Sequence, residues 1–436
     1  MQSNELRAND PHQQVPHQQA PQRQVANDRH HHDRHHHDPR RNDPPAHDVV
    51  NGTAWRAYCE RMAALGDRIL EADFPGATDA DRAEGIRHLA NQVACWLTYQ
   101  LAATDPQNPA FFTHNDLAYR WGGPNVDQNA RRAPIAGDGV YRLTVTMNAC
   151  EKFVLQVKPG DMHSGRTDIV AETSSTALGV GPGDTVEIIL SATEQPGNWV
   201  PLTPDARVLH VRDYYFDWKP EQPAMLALER LDTQGRPAAR VTPERVAGML
   251  DGAATSVENS IEVWNDWVRT TGDRQAVNTF STPATVAGGV KEVVYGFARV
   301  RLTDDQVLIV ETDPRVSGQW DLQLYSPGWF ESLDFANRQT SLNHVQAERD
   351  PDGLIRVVIG AVDPGVPNWL DTEGRTEVFA THRWLDPREQ PTVRALVVPR
   401  HEVRDHLVPT TRTVDEPERR ETMRRRSAHV SWRFRA

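Results

Sequence analysis

The chain contains 436 residues, carries a net charge of -12 and has a mean hydropathy of -0.63. At about 150 residues per domain this length predicts two packed units, and no uncharged apolar run approaches the roughly 18 residues of a membrane span. The acidic balance argues against a protein that tracks nucleic-acid phosphates, because such binding needs a clustered basic face.

Residues 1–48 are predicted to form a disordered, histidine-rich tail of low complexity. They contain the five-residue units PHQQV, PHQQA and PQRQV, followed by RHHHD twice, and such a composition buries too little apolar surface to offset the entropy lost on ordering. Two interpretations are open for the histidines: weak binding of Zn²⁺ or Ni²⁺, or a spacer that binds nothing. The candidate metal ligands, in a chain for which no other cofactor is predicted, are His30, His31, His32, His35, His36 and His37.

The cysteines and the N-terminus indicate a protein of the cytoplasm. Cys59, Cys95 and Cys150 are odd in number, lie far apart and form no C-x-x-C pair, so neither a disulfide nor a structural zinc site is expected. Each cysteine has apolar neighbours, which predicts buried free thiols. The first residues, MQSNELRAND, lack the apolar core of a signal peptide, so we expect no export.

The first part of the body, residues 49–241, is predicted to hold a pair of helices followed by a β unit. Thr53 is a candidate N-cap for the first helix, and apolar residues at helical spacing predict a second helix over 79–104. From Tyr141 the pattern changes to short alternating or apolar runs, among them VYRLTVT, KFVLQV, TVEIILS and ARVLHVRDYYF. Runs of this kind between Gly, Pro and Asp are typical of strands.

Residues 242–436 are predicted to hold a helix, a β-sandwich and a basic C-terminal helix. The triplet TPE at 242–244 favours a helix start, since Pro tolerates the first helical position and a carboxylate suits the positive end of the helix dipole. Strand-like runs resume at Val293 and continue to VRALVV, a pattern that favours a sandwich over a parallel sheet. The arginine-rich C-terminal stretch is interpreted as a helix that closes the fold, with a nucleic-acid or membrane contact as the alternative.

The two β regions share one short sequence echo. LQVKPG at 155–160 resembles LQLYSPG at 322–328. A duplicated β unit would explain the echo, and so would chance.

A polar cluster between Trp329 and Trp384 is the strongest candidate for a site. The sequence contains no G-x-x-x-x-G-K-[ST], G-x-S-x-G or H-E-x-x-H motif, so it does not establish whether the chain is an enzyme. The cluster contains Trp329, Asp334, Arg338, Asn343, His344, Asp363, Asn368, Trp369 and Asp371.

Several segments of this region resemble a bacterial family. WDLQLYS, SLNHVQA, GLIRVVIGAV, NWLDTEG and EVFATHRW lie within roughly residues 292–386 and together resemble the family called domain of unknown function 1214. The upstream RWGGPNVDQNARRAPIAGDGVYRL and VRDYYFDW are similar to segments of longer members. The resemblance implies a jelly-roll-like antiparallel β-sandwich in the C-terminal half and supplies no catalytic residues. The predicted fold class is therefore α+β and mostly β, with a second β unit in the N-terminal half and helical segments at about 53–104 and 242–270.

Each residue of the cluster also has a structural explanation. Asp363, followed by Pro and Gly, suits a turn, Asn368 suits a bend, and a Trp such as Trp369 more often packs in a core than binds a ligand. Under the site hypothesis the ligand-binding residues are Arg338, Asn343, Asn368 and Trp369, and the catalytic acid and base are Asp363 and Asp371.

Two functions are consistent with these observations. The first is a β-sandwich that binds or hydrolyses a small polar ligand such as a carbohydrate, because Trp faces suit sugar rings and the chain has 12 Trp. The second is a non-enzymatic scaffold that self-associates, with the tail as a tether or weak metal binder. The expected partners are an unidentified small molecule or further copies of the chain, and neither nucleic acid nor a membrane.

Overall fold

The structure is a computed structural model that describes residues 47–434. The candidate metal ligands of the tail, His30 to His37, lie outside the described residues, and their role stays a prediction. No helix within the described range is both long and apolar enough to cross a membrane.

Six α-helices lie within the described residues. They are α1 (His47–Val50), α2 (Thr53–Glu71), α3 (Asp79–Ala102), α4 (Ser175–Leu178), α5 (Pro243–Gly272) and α6 (Glu416–Phe434), and short 3-10 helices cover Met162–Ser164, Leu231–Thr233, Pro314–Val316 and Arg400–His406. The four longer helices lie where the sequence predicts helical segments, whereas the single-turn helices α1 and α4 are not predicted. Thr78 caps α3 within a capping box, and the Thr242 side chain caps α5 by accepting from the backbone N–H of Arg245. The expected cap of α2 is wrong: Thr53 is its first helical residue, and Gly52 precedes it without a side-chain cap.

The first β region forms two sheets. Its strands are β1 (Phe112–Asn115), β2 (Gln128–Pro134), β3 (Tyr141–Thr146), β4 (Lys152–Lys158), β5 (Ala171–Ser174), β6 (Thr185–Ser191), β7 (Trp199–Pro201), β8 (Val208–Tyr214) and β9 (Met225–Arg230). Sheet A has the order β1-β2-β8-β4-β5, and sheet B has the order β7-β6-β3-β9. Neighbouring strands are antiparallel except for the β6 and β7 pair.

The second β region forms two further sheets. Its strands are β10 (Val293–Arg301), β11 (Gln306–Thr312), β12 (Gln319–Tyr325), β13 (Ser341–Asn343), β14 (Ile355–Gly360), β15 (Trp369–Asp371), β16 (Glu377–Leu385) and β17 (Val393–Pro399). Sheet C has the order β10-β16-β12-β13, and sheet D has the order β15-β14-β11-β17. Here too the neighbours are antiparallel except for one pair, β14 and β15. The predicted α+β, mostly β fold class with antiparallel sandwiches is confirmed.

The two β regions have the same topology. If β2 is matched to β10, β3 to β11 and so on to β9 and β17, every strand pairing and direction of the first region recurs in the second, and β1 is an addition to sheet A. The similar segments LQVKPG and LQLYSPG begin in the matched strands β4 and β12. Leu155 pairs with Val211 of β8, and Leu322, at the equivalent position, pairs with His382 of β16. The strand order therefore agrees with a duplicated β unit.

The sheets pack as four layers in the order B, A, C, D. Leu155 of sheet A and Leu143 of sheet B share one apolar core, and sheets C and D share a second core around Leu322. Sheets A and C also contact each other, since Val154 packs in one cluster with Val293. Both faces of sheets A and C are therefore covered, and the covered face between them holds the polar residues described below.

Helices close the edges of this stack. α2, α3 and α5 pack together over aromatic residues of sheet C, including Phe379. The basic helix α6 packs against the second β region, where Arg426 is buried and donates to the backbone O of Phe335. The cysteines are all free, and Cys95 and Cys150 are buried, whereas Cys59 is exposed, contrary to expectation.

Candidate functional site

Two members of the predicted polar cluster bind each other. The Arg338 guanidinium donates to Asp371 Oδ2 at 2.7 Å. The other carboxylate oxygen of Asp371 accepts from the backbone N–H of Glu373 at 2.7 Å. The pair therefore fixes the loop that follows β15.

Asn343 is buried where the two β regions meet. Its side-chain Nδ2 donates to Asp127 Oδ1 at 2.8 Å and to the backbone O of Phe216 at 3.0 Å. Its Oδ1 accepts from the backbone N–H groups of Val345 and Gln346. The hydrogen-bonding capacity of this amide is thus used inside the fold.

Asn368 and Trp369 hold the neighbouring loop. Asn368 accepts from the backbone N–H of Glu348 at 2.8 Å and donates to the backbone O of Glu348 and of Arg356. The Trp369 indole donates to the backbone O of Gly360 at 2.9 Å. These bonds connect the loop to β14 of sheet D and to the segment at Glu348.

Asp363 lies in a turn, as its sequence context indicates. Its Oδ1 accepts from the backbone N–H of Gly365 at 2.8 Å, and its Oδ2 accepts from Arg419 of α6 at 2.8 Å. The contacts of the cluster match the structural explanations, and its role in ligand binding or catalysis stays a prediction. Within residues 47–434 no group of three His, Cys, Asp or Glu side chains is arranged to hold a metal ion.

A different set of polar side chains surrounds a cavity of about 140 Å³ between sheets A and C. Strand alternation explains this lining, because side chains at every second position of a strand share one face. On β4 and β8, Leu155 and Val211 face the first sandwich core, and Lys158, His210 and Arg212 line the cavity. The charged and imidazole side chains around it are Arg132, Lys158, Asp161, Arg212, Arg383, His114 and His210.

Aromatic side chains form the remaining walls of the cavity. They come from α5, from strand β10 and from the loops that precede β2 and follow β12. The members are Trp121, Trp264, Trp267, Tyr295, Phe297 and Phe330. The cavity therefore combines aromatic walls with charged and imidazole side chains, a lining that suits a small molecule with both an apolar body and a charged group.

The loop 121–125 forms one wall and depends on glycine. Gly123 has a φ of +65°, which suits glycine, and a Cβ there would collide with the Phe330 ring. The backbone N–H of Gly123 donates to the O of Phe330 at 2.9 Å, and the O of Pro124 accepts from Tyr325 at 2.9 Å. The loop from the first half is thereby fixed onto sheet C.

Two of the four cavity cations are neutralised by carboxylates. Arg383 forms an ion pair with Asp321 at 2.8 Å, and both side chains are buried. Arg132 forms an ion pair with Asp161 at 2.7 Å, and its Nε donates to His114. These two arginines therefore have structural partners.

The other two cations have no carboxylate partner. Arg212 donates to Gln156 Oε1 at 2.6 Å, and the Gln156 amide in turn donates to Glu172. Lys158, 4% exposed, donates from Nζ to the backbone O of Gly288 at 2.7 Å. Among the described residues, no carboxylate oxygen lies within 4.0 Å of either side-chain nitrogen.

Burial changes the protonation of the cavity groups. Burial, followed by the charge of Arg212, lowers the pKa of Lys158 to about 7. Burial, followed by nearby cations, holds the pKa of His114 and of His210 well below the usual histidine range. At neutral pH both imidazoles are therefore neutral, and Lys158 titrates near pH 7.

Sequence reasoning missed this cavity although its signal was present. KFVLQVK and VLHVRDY place polar residues at alternate positions, a pattern that usually marks a solvent-facing side of a strand. The polar face is buried here because a second sheet covers it. Pattern alone assigns residues to a face and does not reveal what covers that face.

One family model and two solved structures are similar to all or part of this chain. Residues 299–389 match the sequence model of the family described as protein of unknown function (DUF1214), which confirms the resemblance over that segment. The crystal structure of an uncharacterized protein from Burkholderia cenocepacia is similar, with a TM-score of 0.75 and 29% identity over 82% of this chain and 99% of that chain. A Vibrio parahaemolyticus protein has a TM-score of 0.41 and 12% identity over 71% of this chain and 98% of its own. No curated protein matches the chain.

Proposed function

We propose that the protein binds a small organic anion, such as a carboxylate, in the cavity between sheets A and C. The observation that carries this proposal is that Arg212 and Lys158 line the cavity without a carboxylate partner among the described residues. Acidic residues outnumber basic ones in this chain, 60 to 48, so a shortage of carboxylates does not explain why these two cations lack one. A desolvated cation without a counter-charge costs stability, and a bound anion would remove that cost.

The geometry of the walls limits the class of anion. A cavity near 150 Å³ accommodates a molecule of about the size of benzene, and the volume here is about 140 Å³. The aromatic walls suit an apolar or aromatic body, while a guanidinium such as Arg212 binds a carboxylate with two parallel hydrogen bonds. Benzoate therefore serves as a probe.

The sequence predicts small-molecule binding in the polar cluster between Trp329 and Trp384, and we propose such binding in the cavity instead. Hydrolysis would need Asp363 and Asp371 as acid and base, and both carboxylates accept hydrogen bonds from arginines, Arg419 and Arg338. We therefore do not propose hydrolysis. The scaffold alternative predicts that no small anion stabilises the protein.

The test compares benzoate with benzamide, its neutral analogue, by thermal shift and calorimetry. Benzoate should raise the melting temperature, since a ligand at 100 times its Kd adds about 2.7 kcal/mol to the unfolding free energy, and benzamide should not. Arg212→Met should remove the response. Arg394→Met is the matched control, because Arg394 is an exposed residue of β17.

Each outcome decides for or against the proposal. Retention of the benzoate response in Arg212→Met, or an equal response to benzamide, would contradict it. So would the absence of a response to benzoate and to a wider set of small carboxylates in the parent protein. A response that is lost in both arginine variants would indicate a general charge effect rather than binding in the cavity.

A further inference from the structure

We infer that Lys158 forms an imine with a carbonyl ligand whose carboxylate lies against Arg212, so that the ligand class is a 2-oxo acid. This inference rests on the proposed anion site and adds a reacting group to it. It assigns different tasks to the two unpaired cations. Arg212 binds the carboxylate, and Lys158 supplies the amine.

The placement of Lys158 differs from that of the other lysines. The chain contains only four, at 152, 158, 219 and 291, among 48 basic residues. Lys152 lies on the same face of β4 and is paired with Glu292 at 2.8 Å, and Lys219 is paired with Asp217 on the surface. Lys158 is buried with a single backbone carbonyl as its partner.

The choice of lysine at this position is informative. The chain uses arginine at nearly every other basic position, and arginine binds carboxylates better because of its planar fork. Arginine, however, cannot be deprotonated in proteins, whereas a buried lysine can be. A lysine in a cavity that otherwise uses arginine therefore favours a role for its neutral amine as a reacting group over a role as a positive charge alone.

The surroundings activate this amine. The pKa of Lys158 is lowered to about 7 by burial and then by Arg212, so a large neutral fraction exists at neutral pH. Desolvation next to another cation is a known way to produce a nucleophilic lysine. His210, with a neutral imidazole whose Nε2 has no hydrogen-bond partner among the described residues, lines the same cavity and is available for a hydrogen bond with the ligand.

The proposed step needs no further reactant. The lone pair on Nζ attacks the carbonyl carbon and forms a C–N bond. The carbonyl oxygen then leaves as water and takes both hydrogens of the neutral amine with it. The products are the imine and one water molecule, and nothing is oxidised or reduced.

The test traps this imine in the full-length protein with cyanoborohydride, using pyruvate and benzoylformate as probes. Peptide mapping by mass spectrometry should locate the reduced adduct on Lys158. Lactate and mandelate, the matched hydroxy acids, carry the same carboxylate without the carbonyl and should give no adduct. Lys158→Arg should abolish the adduct, and Lys219→Arg should retain it.

The outcomes separate this inference from the proposed function. A benzoate response in the wild-type protein without an adduct on Lys158 would overturn the imine and leave anion binding intact. An adduct spread equally over Lys152, Lys158, Lys219 and Lys291 would also overturn it. If Lys158→Arg does not fold, the position of the adduct in the peptide map of the wild-type protein decides whether Lys158 forms the imine. An adduct on Lys158 without any benzoate response would support the amine chemistry and contradict the anion site as proposed.

Discussion

Substitution of Gly123 by alanine should destabilise the protein more than the same change at another glycine of similar backbone conformation. Gly123 has a φ of +65°, and a Cβ there would collide with the ring of Phe330. The left-handed backbone costs an alanine about 1–2 kcal/mol. The forced displacement of a packed ring adds about 1–3 kcal/mol.

Gly165 supplies the matched control. It has a φ of +74°, and a Cβ there meets no atom within 4 Å. Gly165→Ala should therefore show only the backbone cost of about 1–2 kcal/mol. Urea unfolding of both variants measures the difference, which should be about 1–3 kcal/mol. Equal losses would refute the claim that Gly123 is required by the close packing of the loop against Phe330.

Two further predictions concern a loop and a charge. Asn368→Ala should lower the unfolding free energy by about 1–3 kcal/mol, because it removes the hydrogen bonds to partly buried backbone groups of Glu348 and Arg356. An unchanged urea midpoint would instead favour the ligand-binding role predicted from sequence. Burial lowers the pKa of Lys158 from 10.5 to about 7, so the unfolded state binds more protons between these values and stability should rise with pH across that window. Lys158→Met should reduce this rise of unfolding free energy with pH. An unchanged slope in the variant would contradict the assignment of the rise to Lys158.

The sequence predicted the elements of the fold well, because local chemistry determines them. Thr242 and Pro243 begin α5 as their residue types indicate. Apolar and alternating runs correctly marked strands such as β4 and β16. The layer order B, A, C, D could not be predicted, since it depends on which sheet covers the outer face of another.

The candidate site could not be predicted for the same reason. The cluster around Arg338 and Asn368 is predicted as a site because its polar residues interrupt strand-like sequence. Loops, however, need such residues for their own hydrogen bonds. The sequence does not mark Lys158 and Arg212 as site residues, because polar residues at alternate strand positions normally face solvent. Only the contact between sheets A and C shows that they are buried together.

A comparison of matched positions in the two β regions shows why Arg212 is unpaired and provides a last prediction. Arg212 lies opposite Val154, whereas Arg383, at the matched position of sheet C, lies opposite Asp321 and pairs with it.

A carboxylate at position 154 should therefore neutralise Arg212 internally, since directly opposed side chains on antiparallel strands have Cβ atoms about 4.5–5.5 Å apart. Val154→Asp is expected to abolish the benzoate response at pH 8. Val154→Asn, which has nearly the same shape and no charge, should retain it even though both changes disturb the apolar cluster around Val154. Circular dichroism should first establish that both variants are folded. An equal benzoate response in the two variants would mean that Arg212 does not bind the anion, and the cavity would then need another explanation for its unpaired cations.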